Sequence, residues 1–404
     1  MDRADVIIFG GGMIGLALAS ALDSSGLSSI VVDPADPSLR RDSSFDGRTS
    51  AVSSSSMRML QTIGVADHLS APGCPILTIA VADGLEPGGL EFEAEDDEPL
   101  GWMNENRHLR AALEARAEAG RNCWLLWKSK VASTVRGDHG VVVALEDGRK
   151  LHAPLLVAAD GRNSATREAA GINVARWRYD HRAIVSVLRH ERAHDNVAYE
   201  IFYPTGPFAL LPMTDDSGGH RSAIVWSVPE QDATGWLSLS DEDFSAEAQA
   251  AMGGFLGKIE LLAARSSYPL GFHHAAQITA ERLVLAGDAA HAIHPIAGQG
   301  LNLGFRDVAA LAEVLVEGAR LGLDLGDQQL LDRYQRWRSL DALSVAFATD
   351  SLTRIYGIRG KGASAVRRFG MGLVARLSPI KNRLMSEARG TSGELPLLLR
   401  GLPI

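Results

Sequence analysis

Short apolar runs that stop at glycine, each followed by a longer run with a three-to-four-residue hydrophobic repeat, recur along this chain. Ala4 to Phe9 is the first such run; Gly10-Gly11-Gly12-Met13-Ile14-Gly15 and the leucine- and alanine-rich LALASALDSSG follow it. That order predicts a strand, a tight turn and a helix. Ser28 to Val32 predicts a second strand, ending at Asp33. Further on, the apolar run starting at Leu155 leads into Asp160-Gly161, and Leu109 and Leu113 share one face of a helix opened by Asn104. Arg282 to Ala286 predicts another strand, and Val308, Leu311, Val314 and Leu315 fall at helical spacing, so a long helix is expected from near Leu301. Between these lie four strand-like stretches, Ala183 to Arg189, Val197 to Tyr203, Phe208 to Pro212 and Ser222 to Val228. The short turns joining them predict an antiparallel sheet.

The first glycine cluster has the form G-x-G-x-x-G in the strand, turn and helix setting that a dinucleotide needs. Gly10 permits the turn, Gly12 lets the backbone approach a pyrophosphate, and Gly15 lets the helix pack closely on the strand. The helix start then offers unpaired N–H groups and a favourable dipole to the phosphates. Asp33 is placed to accept hydrogen bonds from an adenosine ribose. These residues leave NAD and FAD both open.

Composition narrows the class. With 404 residues the chain exceeds one typical core, so two domains are expected, with a terminal appendage. A net charge of -9 argues against nucleic acid as a partner. The charge is uneven: residues 83–98 hold eight acids and no base, whereas 351–404 hold ten Lys and Arg against two acids. Two cysteines are too few for a disulfide framework and fit a reducing compartment. The start of the chain lacks the regions of a secretory signal, and no apolar run reaches the roughly 18 to 20 residues that span a bilayer. The expected location is the cytoplasm or the inner membrane face. No metal-ligand spacing occurs.

The segment GDAAHAIHPIAGQGLNLGFRD, residues 287–307, carries a family resemblance. It is similar to the G-D-A-A-H-x-x-H-P-x-x-G-Q-G-L-N-L-G-x-x-D signature of class A flavoprotein monooxygenases built like para-hydroxybenzoate hydroxylase. More narrowly, the chain resembles ubiquinone-biosynthesis hydroxylases of the UbiH, UbiF and UbiI type. The resemblance implies FAD, with Asp288 at the ribityl or phosphate end and the helix opening at Gly300-Leu301-Asn302 aimed at the pyrimidine edge of the flavin. Pro295 and Gly298 would shape the backbone beside the ring, and His294 is a candidate for a direct chemical role, whereas His291 is expected to be a packed structural residue. Asp46-Gly47-Arg48-Thr49-Ser50-Ala51 resembles the family's DGRxxAL, which assigns Arg48 to the flavin or its phosphates. Asn104-Glu105-Asn106-Arg107 resembles ENRxLRxAL, in which Asn106 contacts the cofactor with Arg107 as a weaker companion. Asp160 lies in a stretch similar to ADGxxSxVR, between the pyrophosphate and the NAD(P)H route; Met13, Ile14 and Val131 complete the implied cofactor contacts. Asp33 departs from the Glu that many relatives carry, which shortens its reach.

These scattered fingerprints imply an α/β fold with a discontinuous Rossmann-like FAD domain of residues 1–70, 98–177 and 268–350. Residues 71–97 and 178–267 would form a substrate domain, and 351–404 a basic helical segment. Phe202, Phe208, Leu210 and Trp226 are candidates for the cavity wall, core packing being the alternative for each. The tail fits contact with anionic lipid, or packing on the FAD domain or another subunit. The implied reaction takes hydride from transiently docked NAD(P)H, adds dioxygen to reduced flavin, and hydroxylates an electron-rich phenol through a flavin hydroperoxide. The implied substrate is a polyprenylated phenol of ubiquinone synthesis. A soluble aromatic substrate, or a non-catalytic flavin subunit working with other ubiquinone-biosynthesis proteins, remains open. The resemblance points to no catalytic base.

Overall fold

A computed structural model describes residues 2–38, 45, 47–70, 73–85, 89–94, 98–292, 299–339 and 384–404. His294, Pro295, Gly298 and most of the basic tail lie outside the described residues. At the centre is a six-stranded sheet in the order Thr279–Ala280, Leu283–Leu285, Leu155–Ala158, Val6–Phe9, Ser29–Val32, Cys123–Leu126. All neighbours in it are parallel except the first pair. The four inner strands are buried at every position, which is why they read as unbroken apolar runs rather than alternating ones.

Two helices pack together beside this sheet. Met13–Ser24 buries every residue from Gly15 to Leu22. Gln299–Arg320, expected from near Leu301, is buried throughout 302–316. A smaller sheet of Asp2–Arg3, Lys150–Ala153, Gly140–Leu145 and Val131–Gly137 adjoins the core, and Thr49–Ser53, Gly101–Glu105 and Cys74–Ile76 form a three-stranded antiparallel sheet.

The remaining sheet has nine strands. Its path runs His291–Ala292, Ser266–Ala275, Val174–His190, Gly219–Pro229, Gly206–Asp216, Val197–Tyr203, Thr78–Asp83, Leu90–Glu93, with Ile259–Leu261 paired to Val174–His190 off the path. The expected antiparallel order holds for most pairs, but Val197–Tyr203 and Thr78–Asp83 run parallel. The strand expected over 183–189 begins at Val174. Its first residues are largely solvent-facing and lack an apolar signal; pairing with Ser266–Ala275 holds them extended.

The two faces of this sheet differ. One is sealed by the helices Ala233–Ser238 and Asp241–Ala251, with Ile184, Ile201, Phe208, Leu210, Ile224 and Trp226 packed against Phe244, Ala248 and Met252. The other carries Val187, Ala198, Leu211, Met213 and Ala223, which pack with Phe45, Ala51 and Met103 from outside this sheet.

Candidate functional site

The first glycine loop has the shape its spacing predicts. Gly10 adopts φ +106°, and a side chain there would stand 2.3 Å from the Ala159 carbonyl oxygen. A Cβ on Gly15 would fall 1.9 Å from the Gly10 carbonyl oxygen, so only glycine lets the helix start this close to the turn. A Cβ on Gly12 would meet nothing within 4 Å. Gly12 is also the N-cap of Met13–Ser24, and no side chain caps that helix. Its first N–H groups and dipole therefore face an open cradle suited to a phosphate.

Asp33 is 7% exposed at the end of its strand. Its Oδ2 accepts the Gly11 N–H at 2.7 Å and its Oδ1 the Ala35 N–H at 2.8 Å. The short acid therefore ties the second strand to the glycine loop. An ionised carboxylate has further acceptor positions for a ribose hydroxyl.

The second fingerprint meets the first at Ile14. That side chain fills the space beside Gly287 and Gly304, where added Cβ atoms would lie 3.0 Å and 2.5 Å from it. Gly287 N–H donates to Asp307 Oδ2 at 2.8 Å, His291 Nε2 lies 2.8 Å from the same oxygen, and Arg338 Nε donates to Oδ1 at 2.7 Å. Asp307 is 0% exposed. Burial opposes its charge, but His291 and Arg338 outweigh that and hold its carboxyl below the usual carboxylate range. His291 is buried, as expected of a packed residue. Along the chain Asp307 is merely the last residue of a motif; its partner Arg338 carries no local signal.

Asp288 projects from the turn that Asp307 braces and is solvent-accessible, yet the protein walls around it raise its carboxyl pKa. Its carbonyl oxygen accepts the Nε2–H of buried His273 at 2.7 Å. Burial lowers the His273 pKa to about 4. An unfolded histidine protonates near 6.5, so between these values the unfolded chain holds the extra proton and stability falls as the pH drops. Acidification from about pH 6.5 to about pH 4 is expected to remove roughly 3 kcal/mol through this group. Urea midpoints of wild type and His273→Gln across that range provide the check, and the variant should lose this limb.

Asp160 closes the third side. Its Oδ2 accepts from the Thr166 hydroxyl at 2.8 Å, while Oδ1 is buried with no hydrogen-bond partner among the described residues. An orphaned carboxylate oxygen at a strand end fits a site built for a ligand donor. Arg167, from the same motif, is buried and donates to the Ala289 carbonyl at 2.8 Å, joining this strand to the Gly287 turn.

The remaining cofactor candidates gather on Thr49–Ser53. Asn302 is 3% exposed and bridges that strand, donating to the Ala51 carbonyl and accepting the Ser53 N–H, both at 2.9 Å. Asn106 N–H donates to the exposed Arg48's carbonyl at 3.0 Å, and its Oδ1 accepts from the Ser50 hydroxyl at 2.7 Å. Arg107 pairs instead with buried Glu105 at 2.7 Å and lies over the Phe45 ring. Gly300 and Leu301 open the long helix beside Asn302, and a Cβ on Gly300 would meet none of the described residues within 4 Å. Val131 begins its own strand, half-buried against the main core.

The expected cavity wall divides. Phe208, Leu210 and Trp226 belong to the helix-sealed face, where Phe208 and Trp226 rings meet edge-on at 5.1 Å. Phe202 alternates with Ile201 and so lies on the opposite face.

The parts thus assembled are an open glycine loop at a helix start, a buried acid tied to that loop, a carboxylate oxygen with no partner among the described residues and a second helix start, all drawn from distant segments. Residues 3–347 match the family described as FAD binding domain. The chain belongs to this FAD-binding family. FAD is accordingly the dinucleotide that the first loop alone left open. Over 99% of this chain and 94% of the relative, it is 42% identical to ubiquinone hydroxylase UbiL of Rhodospirillum rubrum. It is 31% identical to the mitochondrial ubiquinone biosynthesis monooxygenase COQ6 of Xenopus tropicalis, over 95% of this chain and 93% of that protein. Among solved structures, p-nitrophenol 4-monooxygenase PnpA of Pseudomonas putida DLL-E4 superposes with TM-score 0.78 at 19% identity, covering 98% of this chain and 100% of that one. The probable FAD-dependent monooxygenase pqsL of Pseudomonas aeruginosa gives 0.74 at 22%, covering 92% and 100%. These structural likenesses establish the fold of the FAD-binding family, of the para-hydroxybenzoate hydroxylase type. No described helix is long and apolar enough to cross a membrane.

Proposed function

We propose that this chain is an FAD-dependent aromatic-ring hydroxylase that consumes NAD(P)H and dioxygen and acts on a polyprenylated phenol in ubiquinone biosynthesis. The observation that carries the reading is the near full-length likeness to a ubiquinone hydroxylase at 42% identity. The glycine loop and the helix start at Met13, Ile14 and Gly15 would hold the pyrophosphate, with Asp33 on the ribose and Val131 beside the adenosine end. Asp160, Asp288 and Arg48 would serve the phosphate and ribityl portion. Asn106, Gly300, Leu301 and Asn302 would border the ring, with Arg107 behind Asn106; Pro295, Gly298 and His294 are assigned there by motif alone.

Bound FAD supplies the redox and oxygen chemistry. The chain's own task is to place the phenol and keep water out. In this division residues 1–70, 98–177 and 268–350 bind the cofactor, while 71–97 and 178–267 carry the substrate sheet; the boundaries at 177 and 268 fall within strands that pass from one to the other. Residues 351–404 would bring the enzyme to a lipid surface, where a polyprenyl tail resides, or to partner subunits.

Purified holoprotein is expected to oxidise NAD(P)H slowly alone and faster when a prenylated phenol is added, with one hydroxyl gained by mass spectrometry. Acceleration by soluble phenols only would overturn the substrate assignment; no acceleration by any phenol would overturn the hydroxylase reading.

A further inference from the structure

Two buried carboxylates beside the substrate sheet and the long helix are held by partners, and a half-buried carboxylate on the substrate sheet differs from them. Glu105, on the three-stranded sheet, is gripped by Arg107 at 2.7 Å and Arg221 at 3.3 Å. Asp307 has its backbone donor, the His291 ring at 2.8 Å and the Arg338 guanidinium. Glu200 has no hydrogen-bond or ion-pair partner among the described residues.

Its position follows from alternation along Val197–Tyr203. Ile201 packs into the helix-sealed face. Ala198 packs on the opposite face in a cluster with Cys74 and Met103, against which Ala51 is also packed. Glu200 shares the face of Ala198. In register it pairs with Ala209 on one side and Val81 on the other, and Ala209 pairs onward with Val225. Across the sheet, then, its neighbours are apolar. The same face turns toward Thr49–Ser53, the strand clamped by Asn302 at the start of the long helix. A half-buried carboxyl with no partner among the described residues, set between an apolar wall and the cofactor elements, gains no counter-charge there and is left poorly solvated.

We propose that Glu200 is a catalytic residue that accepts the hydrogen bond of the substrate's phenolic hydroxyl and takes its proton. This rests on the hydroxylase reading above. In the step, the phenolic O–H bond breaks and a new O–H bond forms on the Glu200 carboxylate. The electron pair stays on the phenolic oxygen, enriches the ring carbons ortho and para to it, and favours attack there by an electrophilic oxygen. The carboxyl returns its proton to the product oxygen.

Burial alone raises the Glu200 pKa to about 7, close to the value that serves a base at neutral pH. Titratable groups on the surrounding elements include Asp83, at the next same-face position beyond Val81; Cys74, whose thiol burial pushes up to about 12 with Asp215 adding to the rise; Arg221; Glu105; and, toward the strand ends, Asp216 and His220. None of them contributes to the shift at Glu200.

The test uses holoprotein, NAD(P)H and a phenol bearing a short prenyl tail. Wild type should show a hydroxylation rate that falls on the acid side of about pH 7. Glu200→Gln should keep its FAD absorbance, lose that acid limb and slow by about 100-fold at neutral pH, while Glu200→Asp should restore the limb. A Gln variant with the wild-type rate and pH profile would overturn the role of Glu200 and leave the hydroxylase reading standing. Failure of wild type itself to bind or hydroxylate the phenol would instead overturn both.

Discussion

Replacing Gly12 by valine is expected to give a folded, colourless protein. The added side chain meets no atom of the described residues within 4 Å at its Cβ, so the apoprotein has little reason to lose stability. It would enter the open cradle at the helix start that is proposed to hold the pyrophosphate. Displacing that group by a side chain should weaken FAD binding by on the order of 100-fold, or about 3 kcal/mol. Gly15→Ala makes the contrasting control: its Cβ would strike the Gly10 carbonyl oxygen at 1.9 Å, so overpacking of about 1–3 kcal/mol or more should lower stability together with FAD content. Absorbance of the purified proteins and their denaturant midpoints separate the two effects. A Gly12→Val protein that retains FAD at wild-type stoichiometry would refute the placement of the pyrophosphate.

The second large effect is expected at Asp307→Ala. Removing this carboxylate takes an ion-pair partner from Arg338, itself 2% exposed, the acceptor from Gly287 N–H and a contact from the His291 ring. Losing one side of a buried ion pair together with the Gly287 hydrogen bond is expected to cost about 3–5 kcal/mol. Since the turn at Gly287 carries Asp288, FAD retention should fall as well. The folded carboxyl titrates below its unfolded value, so its stabilising effect is present above the unfolded value, near 3.9, and is lost as the pH falls through the lowered folded one. Thermal unfolding of Asp307→Ala and wild type at pH 7 gives the difference directly. A change under 1 kcal/mol would remove Asp307 from the centre of this site.

Much of the cofactor side is legible in the residues themselves. Glycine loops, the strands that feed them and the helices that leave them are contiguous, so Gly10 to Gly15 and Gly287 to Asp307 display their local geometry in their own residue order. Cavity walls are less legible. Phe208, Leu210 and Trp226 look as suitable for a substrate pocket as for a core, and the choice between them depends on which face the helices at 233–251 cover. That decision involves segments with no mark of it in their own sequence.

Glu200 illustrates the same division. As a letter in AYEIFYPTGP it is one acid among many on an acidic chain. It becomes unusual only when Val81 and Ala209 are brought alongside with no cation among the described residues beside them. Asp307 is the mirror case, an ordinary motif acid until Arg338 reaches it from another helical stretch, 328–339. The sequence by itself determined the dinucleotide loop, the parallel core strands and the family, because backbone freedom and hydrophobic period are local properties. Tertiary structure alone decided which charges are paired and which sheet face meets the cofactor elements, because pairing and burial arise between residues that the chain keeps far apart until it folds.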